Sequence, residues 1–310
     1  MNVAVLIPCH NEEVAIQCVV AGFRTALPGA AVYVYDNNST DSTAATARRA
    51  GAIVRFESLR GKGNVVRRMF ADIEADAYIL VDGDDTYDPS VAPEMLRLLT
   101  EMQLDMVTAS RVADISAAYR PGHQTGNYLL TWIVRTVFGD RISDMLSGYR
   151  AFSRRFVKSF PALSTGFETE TEFTVHALEL GMPVGEVQAR YKDRPAGSAS
   201  KLRTYTDGIR ILRTIVILVK EVRPLQFFLF GGFLFGLASL ILGMPIITTF
   251  MATGLVPRLP TAVLAAALAG LAALSSMCAL ILDSVARGRK EQKRMAYLAV
   301  PGIGANHQLS

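Results

Sequence analysis

The sequence predicts an α/β domain with a mainly parallel sheet, followed by two helices that cross a membrane. Over the first two thirds of the chain, short apolar runs of strand length alternate with segments of helical character. Strands that alternate with helices give a parallel sheet covered on both faces. In the last third, residues 224–257 and 259–282 contain no charged side chain. Since about 20 apolar residues span a bilayer, each stretch is long enough to cross it as a helix.

The first two strands, at residues 3–7 and 32–35, are each followed by a polar turn that leads into a helix. Two such turns in succession form a natural pocket for a nucleoside. Asp36, at the end of the second strand, is suited to accept hydrogen bonds from ribose hydroxyls or a base. Helix capping is the alternative role for Asn38, Ser39 and Asp41.

A third apolar run, residues 78–81, ends in a cluster of carboxylates. Asp82 and Asp84 are separated only by a glycine, so they can turn oxygens toward one hard divalent cation, which normally also holds phosphates and water. The pattern indicates a site for a metal and a diphosphate. The alternative is an acidic turn that caps the next helix, because Asp88 before Pro89 is suited to an N-cap.

The segment Gly61-Lys62-Gly63 opens a predicted helix. Glycines on both sides of a lysine let backbone amides and one cation approach a phosphate, although a tight turn has the same composition. No Walker-type lysine loop or dinucleotide glycine pattern occurs in the sequence, which argues against an ATPase or a dehydrogenase.

Basic residues predict the orientation of the two spans. They are frequent before the first span and after the second, whereas the connection between the spans carries only Arg258. By the positive-inside rule both ends lie in the cytoplasm, and the amino terminus lacks a signal-peptide pattern. Cys9, Cys18 and Cys278 have no paired spacing and are interpreted as free thiols in a reducing compartment. No basic face with aromatic platforms is evident, so nucleic acid is not an expected partner.

The juxtamembrane segment has Ile209, Leu212, Val216 and Val219 at helical spacing, which predicts an amphipathic helix. Such a helix suits the bilayer surface, and packing on the preceding domain is compatible with the same pattern. Small residues in the second span, within residues 265–273, allow close helix contacts and hence oligomers.

Several motifs together resemble family 2 glycosyltransferases of the GT-A fold. They are Pro8-Cys9-His10-Asn11-Glu12, Asp36-Asn37-Asn38-Ser39-Thr40-Asp41, Gly61-Lys62-Gly63 and Asp82-Gly83-Asp84. Three further motifs are similar to the polyprenyl-phosphate branch, which includes dolichyl-phosphate mannose synthase and bacterial undecaprenyl-phosphate glucosyltransferases with two membrane helices. These are Ala109-Ser110-Arg111, Ser147-Gly148-Tyr149-Arg150 and residues 194–202.

The resemblance implies a division of the chain into four parts. They are a GT-A catalytic domain (1–203), an amphipathic juxtamembrane helix (204–223), a two-helix transmembrane hairpin (224–283) and a basic cytoplasmic tail (284–310). We expect an integral protein of the bacterial inner membrane with its catalytic domain in the cytoplasm. The family also contains tetramers, so a homo-oligomer is expected.

The implied reaction is inverting transfer of one sugar from a nucleotide sugar to a polyprenyl phosphate, with Mg²⁺ or Mn²⁺. UDP-glucose is the first expectation for the donor, and GDP-mannose is the alternative. A different kind of function, that of a non-catalytic membrane scaffold that binds a nucleotide sugar, is the competing hypothesis. Carried over by motif, the nucleotide would contact Pro8, Asn11, Glu12, Asp36, Asn38, Lys62 and Asp82. The metal would lie on Asp82 and Asp84, and the acceptor phosphate would meet Arg111, Arg150, Arg194 and Lys201.

Two departures from the family pattern concern the same sites. Asn37 stands where the family often has a second aspartate, which leaves the base preference open. Thr86 stands where mannose synthases of the branch have glutamine, which leaves the third metal contact open. A processive synthase would need more spans and a Gln-x-x-Arg-Trp signature; the only tryptophan, Trp132, follows Leu129-Leu130-Thr131.

The chemistry of a phosphate acceptor also follows from general principles. A hydroxyl needs a base before it attacks an anomeric carbon, whereas a phosphate monoester, with a second pKa of about 6, arrives largely as a dianion. Cations must then hold two anionic groups near one carbon. Taken singly, each arginine also suits a surface salt bridge. Asp144 is a candidate base or a cap of the turn before Arg150, and we expect Glu170 or Glu172 to order arginines.

Overall fold

The computed structural model describes residues 1–113, 143–195 and 204–303. The chain forms two compact units, one made of Met1–Ile215 together with Lys293–Ser310, and the other of Val216–Gln292. We refer to them as the sheet unit and the apolar unit.

Regular elements follow one another in an alternating order in the sheet unit. The strands are β1 (Val3–Cys9), β2 (Ala31–Asp36), β3 (Ile53–Phe56), β4 (Ala77–Leu80), β5 (Met106–Ala113), β6 (Arg150–Ser153) and β7 (Val184–Tyr191). The helices before the juxtamembrane region are α1 (Ile16–Ala26), α2 (Thr43–Arg49), α3 (Lys62–Asp72), α4 (Ala92–Glu101), α5 (Arg154–Ser159) and α6 (Thr169–Leu180). Three long helices follow, α7 (Thr204–Val222), α8 (Pro224–Thr253) and α9 (Leu259–Leu298).

The seven described strands form one sheet in the order β3-β2-β1-β4-β6-β5-β7. Neighbours are parallel except at β6, which is antiparallel to both β4 and β5. The mainly parallel sheet is therefore confirmed. Because β1, β2 and β4 are adjacent and parallel, the polar residues that follow them meet at one edge of the sheet. The backbone shows this directly, since Asn37 N–H donates to the carbonyl of Cys9 at 2.8 Å.

Two hydrophobic clusters cover the two faces of the sheet. Along β1, Val5 and Ile7 face one cluster, whereas Ala4 and Leu6 face the other. This arrangement explains why the strands are apolar runs rather than alternating patterns. The second cluster contains a group of aromatic rings, with Phe152 stacked on Phe156 at 4.5 Å between centroids.

The apolar unit consists largely of α8 and most of α9, both long and apolar enough to cross a membrane by length and composition. The two helices pack closely through small residues. Ser239 Oγ donates to the carbonyl of Ala265 at 2.7 Å, and Ser275 Oγ donates to the carbonyl of Phe228 at 2.7 Å. At Gly232 an added Cβ would lie 3.2 Å from the carbonyl oxygen of Ala272. Side-chain hydroxyls thus satisfy helix carbonyls across the pair.

The carboxyl end of α9 belongs to the sheet unit. Lys293 forms a 2.7 Å ion pair with Glu179, and Tyr297 Oη donates to Asp105 at 2.8 Å. Asp105 is fully buried and also accepts a hydrogen bond from Ser153 Oγ at 2.7 Å. The segment that the sequence indicates as a basic tail therefore begins as helix, and its residues from Lys293 onward belong to the sheet unit.

Candidate active site

Asp36 lies at the end of β2 with one carboxylate oxygen available for a ligand. The residue is only 7% exposed, and its Oδ2 accepts a long hydrogen bond of 3.3 Å from Ser39 N–H. Its Oδ1 is buried and has no hydrogen-bond partner. A buried carboxylate oxygen normally has a donor, so a donor from a bound molecule would fit here.

Asn11 and Asn38 shape the turns that follow β1 and β2. Both adopt the left-handed backbone region, with φ of 54° and 60°, which asparagine tolerates better than most residues. The side chain of Asn11 accepts from Thr40 N–H at 2.7 Å, and that of Asn38 donates to the carbonyl of Ser58 at 2.9 Å. The structure thus places both near the predicted pocket, where their side chains hold the backbone.

Pro8 and Glu12 border the same turn after β1. Pro8 is aligned with Tyr35 in the parallel pairing of β1 and β2. Glu12 is buried, and its backbone N–H donates to Thr43 Oγ1 at 2.8 Å at the start of α2. Both predicted residues therefore lie with Asp36 at the carboxyl edge of the sheet.

Asn37 connects the end of β2 to the glycine turn before α3. Its Nδ2 donates to the carbonyls of Glu57 and Leu59, both at 2.8 Å, and its Oδ1 accepts from Gly61 N–H at 2.8 Å. An aspartate could not make the two donated bonds. Asparagine rather than the family's frequent aspartate at position 37 thus has a structural reason, which a comparison of motifs does not reveal.

Lys62 lies in a buried cluster with two carboxylates. Its Nζ contacts Asp82 Oδ1 and donates to Glu170 Oε1 at 2.6 Å. The lysine and Glu170 side chains are each 7% exposed, whereas that of Asp82 is 30% exposed. Burial alone would lower the pKa of Lys62, but the two carboxylates raise it above the usual value, so the lysine is a cation.

Asp84 is buried and held from two sides. Thr86 Oγ1 donates to its Oδ1 at 2.6 Å, and Arg194 forms an ion pair of 2.6 Å with its Oδ2. Burial and the charge of Asp82 raise the pKa of Asp84, which indicates that the two carboxylates interact. Thr86 therefore supports Asp84, and Arg194, which the motif indicated as a contact of the acceptor phosphate, is paired with Asp84 in this structure.

Gly148 packs directly against this acidic pair. An added Cβ would overlap Asp82 Oδ2 and would lie 3.0 Å from Lys62 Nζ. The backbone N–H of Gly148 donates to Tyr87 Oη at 3.0 Å, which fixes the approach. The Ser-Gly-Tyr-Arg motif thus forms one wall of the site, and a residue larger than glycine at position 148 would displace the Asp82 carboxylate.

Arg111 and Asp144 form a two-point ion pair near the same site. The guanidinium donates from Nε at 2.7 Å and from Nη2 at 2.8 Å to the two carboxylate oxygens. It also lies over the ring of Tyr191, at 5.6 Å from the centroid. The ring of Tyr191 packs against that of Tyr87 at 5.3 Å between centroids, and Tyr87 Oη accepts from Gly148, which lies beside Asp82, so Arg111 lies on the side of the site that these two tyrosines form.

The structure places Arg150, an expected contact of the acceptor phosphate, in the interior of the sheet unit rather than at the surface of the site. The residue is fully buried, and its guanidinium donates to the carbonyls of Ser147 and Met145 at 3.0 and 2.5 Å and to Thr174 Oγ1 at 2.9 Å. Burial lowers its pKa to about 10. The strand that begins at Arg150 turns this side chain inward, where it braces the loop that carries Asp144 and Gly148.

Glu170 or Glu172 of α6 was expected to order arginines, and Glu170 does interact electrostatically with the buried Arg150. Glu170 holds Lys62, and Glu172 accepts hydrogen bonds from the backbone N–H groups of Leu163 and Ser164, both at 2.9 Å. Hence these carboxylates chiefly order a lysine and a loop. Lys201 lies outside the described residues.

Comparison with known proteins identifies the family. Residues 4–160, half of the chain, match the glycosyl transferase family 2 domain. The chain is also 36% identical over 237 residues to glycosyltransferase AglJ of Haloferax volcanii, covering 74% of this chain and 76% of that protein. The chain belongs to glycosyl transferase family 2. Dolichyl-phosphate hexose transferase of Haloferax volcanii is 27% identical over 223 residues, covering 72% of this glycosyltransferase and 96% of that protein.

Solved structures agree on the fold of this glycosyltransferase. Glucosyl-3-phosphoglycerate synthase from Mycobacterium tuberculosis, in complex with Mn²⁺, uridine diphosphate and phosphoglyceric acid, superimposes with a TM-score of 0.56. The match covers 71% of this chain and 77% of that one at 22% identity. The predicted GT-A fold of the sheet unit is thereby confirmed.

The residues of this glycosyltransferase fit a divalent cation that arrives with its own ligands. Asp82 and Asp84 offer oxygen ligands, and Asp82 is partly open to solvent. Within residues 1–113, 143–195 and 204–303, no group of three or more histidine, cysteine or acidic side chains could enclose a metal. Mg²⁺ and Mn²⁺ suit such a two-carboxylate site, because water and substrate phosphates complete their coordination.

Proposed function

We propose that this glycosyltransferase moves one hexose from a nucleotide sugar to a polyprenyl phosphate in the membrane, with inversion at the anomeric carbon. The observation that carries the proposal is that Asp82 and Asp84 pair with Lys62 and Arg194 at the edge of the sheet where Arg111 also lies, over the ring of Tyr191. Two helices suited to span a membrane follow in the same chain. An acceptor that is both anionic and membrane-bound suits this combination.

The donor is a nucleoside diphosphate sugar, with UDP-glucose as the first expectation and GDP-mannose as the alternative. The unpartnered Oδ1 of Asp36 offers an acceptor for a base or ribose donor. Lys62 and a divalent ion on Asp82 and Asp84 would face the diphosphate. When bound, Mg²⁺ or Mn²⁺ supplies positive charge that stabilises the departing diphosphate.

The acceptor phosphate needs binding rather than deprotonation. A phosphate monoester is already an anionic nucleophile near neutral pH. Asp144 is paired with Arg111, which suits the orientation of a guanidinium toward that phosphate. Arg194, which pairs with Asp84, would provide a second cation, and by its motif Lys201 would provide a third. Glycosyltransfer to a dolichyl phosphate is indicated by the name of one relative, which supports this acceptor class.

The proposal is tested with the purified full-length protein in nanodiscs. Radiolabelled UDP-glucose, UDP-galactose and GDP-mannose are each incubated with polyprenyl phosphate and Mn²⁺, and label is counted in the organic phase. We expect transfer of one sugar per lipid from one donor, and its loss in EDTA. Binding of donor without product would support a scaffold, and a growing product would support a synthase; either result contradicts the proposal.

Asp84→Asn provides the matched test of the site. The amide retains the shape of the side chain but removes the charge that a divalent ion needs, so we expect a loss of transfer of at least about a hundredfold. Asp88→Asn is the control, because Asp88 caps a short 3₁₀ turn by accepting from Ser90 N–H at 2.9 Å, a role that asparagine also fulfils. Equal activity in both variants would reject the metal assignment.

A further inference from the structure

Glu170 is a buried carboxylate that the proposed reaction does not use directly. It lies in the first turn of α6 and is 6% exposed. Its Oε1 accepts from Lys62 Nζ at 2.6 Å, and the same ammonium contacts Asp82. The lysine thus lies between an internal carboxylate and one that is partly open to solvent.

Other groups also approach the Lys62 ammonium. The ring centroid of Phe167 lies 5.9 Å from its Nζ, and a Cβ added at Gly148 would lie 3.0 Å from the same atom. The backbone directly after the lysine is held as well, because Gly63 N–H donates to the carbonyl of Thr165 at 3.1 Å. The ammonium is therefore packed beside its two carboxylate partners.

We propose that Glu170 is a positioning residue that gives Lys62 a second carboxylate partner, so that Asp82 can exchange the lysine for a divalent cation while the lysine faces the donor diphosphate. Without Glu170, the ammonium would pair with Asp82 alone and would compete with the cation for that carboxylate. With Glu170, the lysine keeps a partner when the cation occupies Asp82. The inference rests on the proposed function, and it adds a residue that the family motifs did not indicate.

Glu170→Gln tests the proposal through Mn²⁺ binding, which is measured by electron paramagnetic resonance on the full-length protein with UDP present. The substitution preserves side-chain shape and removes the charge. We expect about a tenfold weaker Mn²⁺ affinity, since one competing ion pair on Asp82 is strengthened by an amount typical of charged hydrogen bonds. An unchanged or tighter affinity would overturn the proposal.

A double-mutant cycle with Lys62→Met separates positioning from a general structural effect. If Glu170 acts through the lysine, Glu170→Gln will change Mn²⁺ affinity by less than about twofold in the Lys62→Met background. An equal loss in both backgrounds would overturn the proposal. The control is Glu172→Gln on the same helix, which removes a carboxylate that binds the Leu163 and Ser164 amides and should leave Mn²⁺ affinity within about twofold.

The same titration distinguishes this inference from the proposed function. Asp82→Asn is expected to abolish Mn²⁺ binding. If it does so while Glu170→Gln has no effect, the positioning role fails and the metal site stands. If Asp82→Asn leaves Mn²⁺ affinity unchanged, both the metal assignment and the role of Glu170 are overturned.

Discussion

At the residue scale, Asp144 shows how a partner determines the chemistry of a carboxylate. Burial alone would raise the pKa of Asp144, but its two hydrogen bonds with Arg111 lower that pKa below the ordinary value. A carboxylate with a lowered pKa is a poor general base at neutral pH. The pairing is therefore more consistent with a phosphate acceptor than with a hydroxyl acceptor. Asp144 also accepts from Leu146 N–H at 3.2 Å, a contact that fits the alternative role of a cap in the turn before Arg150.

The sign of the pH dependence follows from this lowered pKa. The unfolded chain would titrate Asp144 at about 3.9, and the folded chain at a lower pH. The pair with Arg111 therefore contributes its full stability above the unfolded pKa and loses it as the pH falls through the folded pKa. Near neutral pH the pair is therefore intact. A decline in activity below a pH of about 6 would come from other groups, namely the acceptor phosphate, which is protonated there, or Asp84, whose pKa is raised.

Asp144→Asn should selectively weaken the acceptor site. Loss of a charged two-point hydrogen bond frees Arg111 from its orientation, so we expect KM for polyprenyl phosphate to rise by about tenfold or more. KM for the nucleotide sugar should change by less than about twofold, because the donor residues lie on other strands. Steady-state kinetics with each substrate varied in turn will check this. An equal rise in both KM values would contradict the role assigned to Asp144.

Individual residues also show where sequence reasoning ends. The acidic pair and Lys62 were predicted because their spacing places charge at a strand end or a helix start. The burial of the Arg150 side chain was not predicted, because a motif does not indicate toward which face of a strand a side chain points. The pairing of Lys62 with Glu170 joins residues 108 positions apart, which local patterns cannot reveal.

At the scale of elements, the order of strands follows from simple rules, and the site follows from that order. Alternating apolar runs and helices predicted the parallel β1, β2 and β4, whose carboxyl ends collect the polar turns. The antiparallel direction of β6 was not predicted, because the residues before this strand do not indicate in which direction it runs. Its consequence is large, since β6 places the loop with Asp144 and Gly148 beside β4.

Gly148→Ala tests this placement of the loop against the acidic pair. The methyl group would displace the Asp82 carboxylate and crowd Lys62, so we expect UDP affinity in the presence of Mn²⁺ to fall by about tenfold or more. Isothermal titration calorimetry on the protein in nanodiscs measures the affinity. The control is Gly288→Ala in α9, where an added Cβ meets nothing within 4 Å and alanine favours the helix. Unchanged affinity in Gly148→Ala would show that the loop moves away at little cost.

At the scale of the whole molecule, the uncharged stretches and the flanking basic residues suggest which side of the membrane carries the catalytic site. A nucleotide sugar made in the cytoplasm can be used only if the sheet unit is cytoplasmic. The distribution of lysine and arginine around α8 and α9 predicts this orientation. We therefore propose a cytoplasmic sheet unit with both termini on the same side.

The native cysteines allow this orientation to be measured without new labels. Cys18 is exposed on α1 of the sheet unit, Cys9 is buried, and Cys278 lies within the apolar stretch of α9, where lipid would shield it. A membrane-impermeant maleimide should label Cys18 in inverted vesicles and leave it unlabelled in right-side-out vesicles, because only the former expose the cytoplasmic face. Cys18→Ser should remove the label. Labelling of Cys18 from the outer face would reverse the orientation, and would also separate the catalytic site from a cytoplasmic donor.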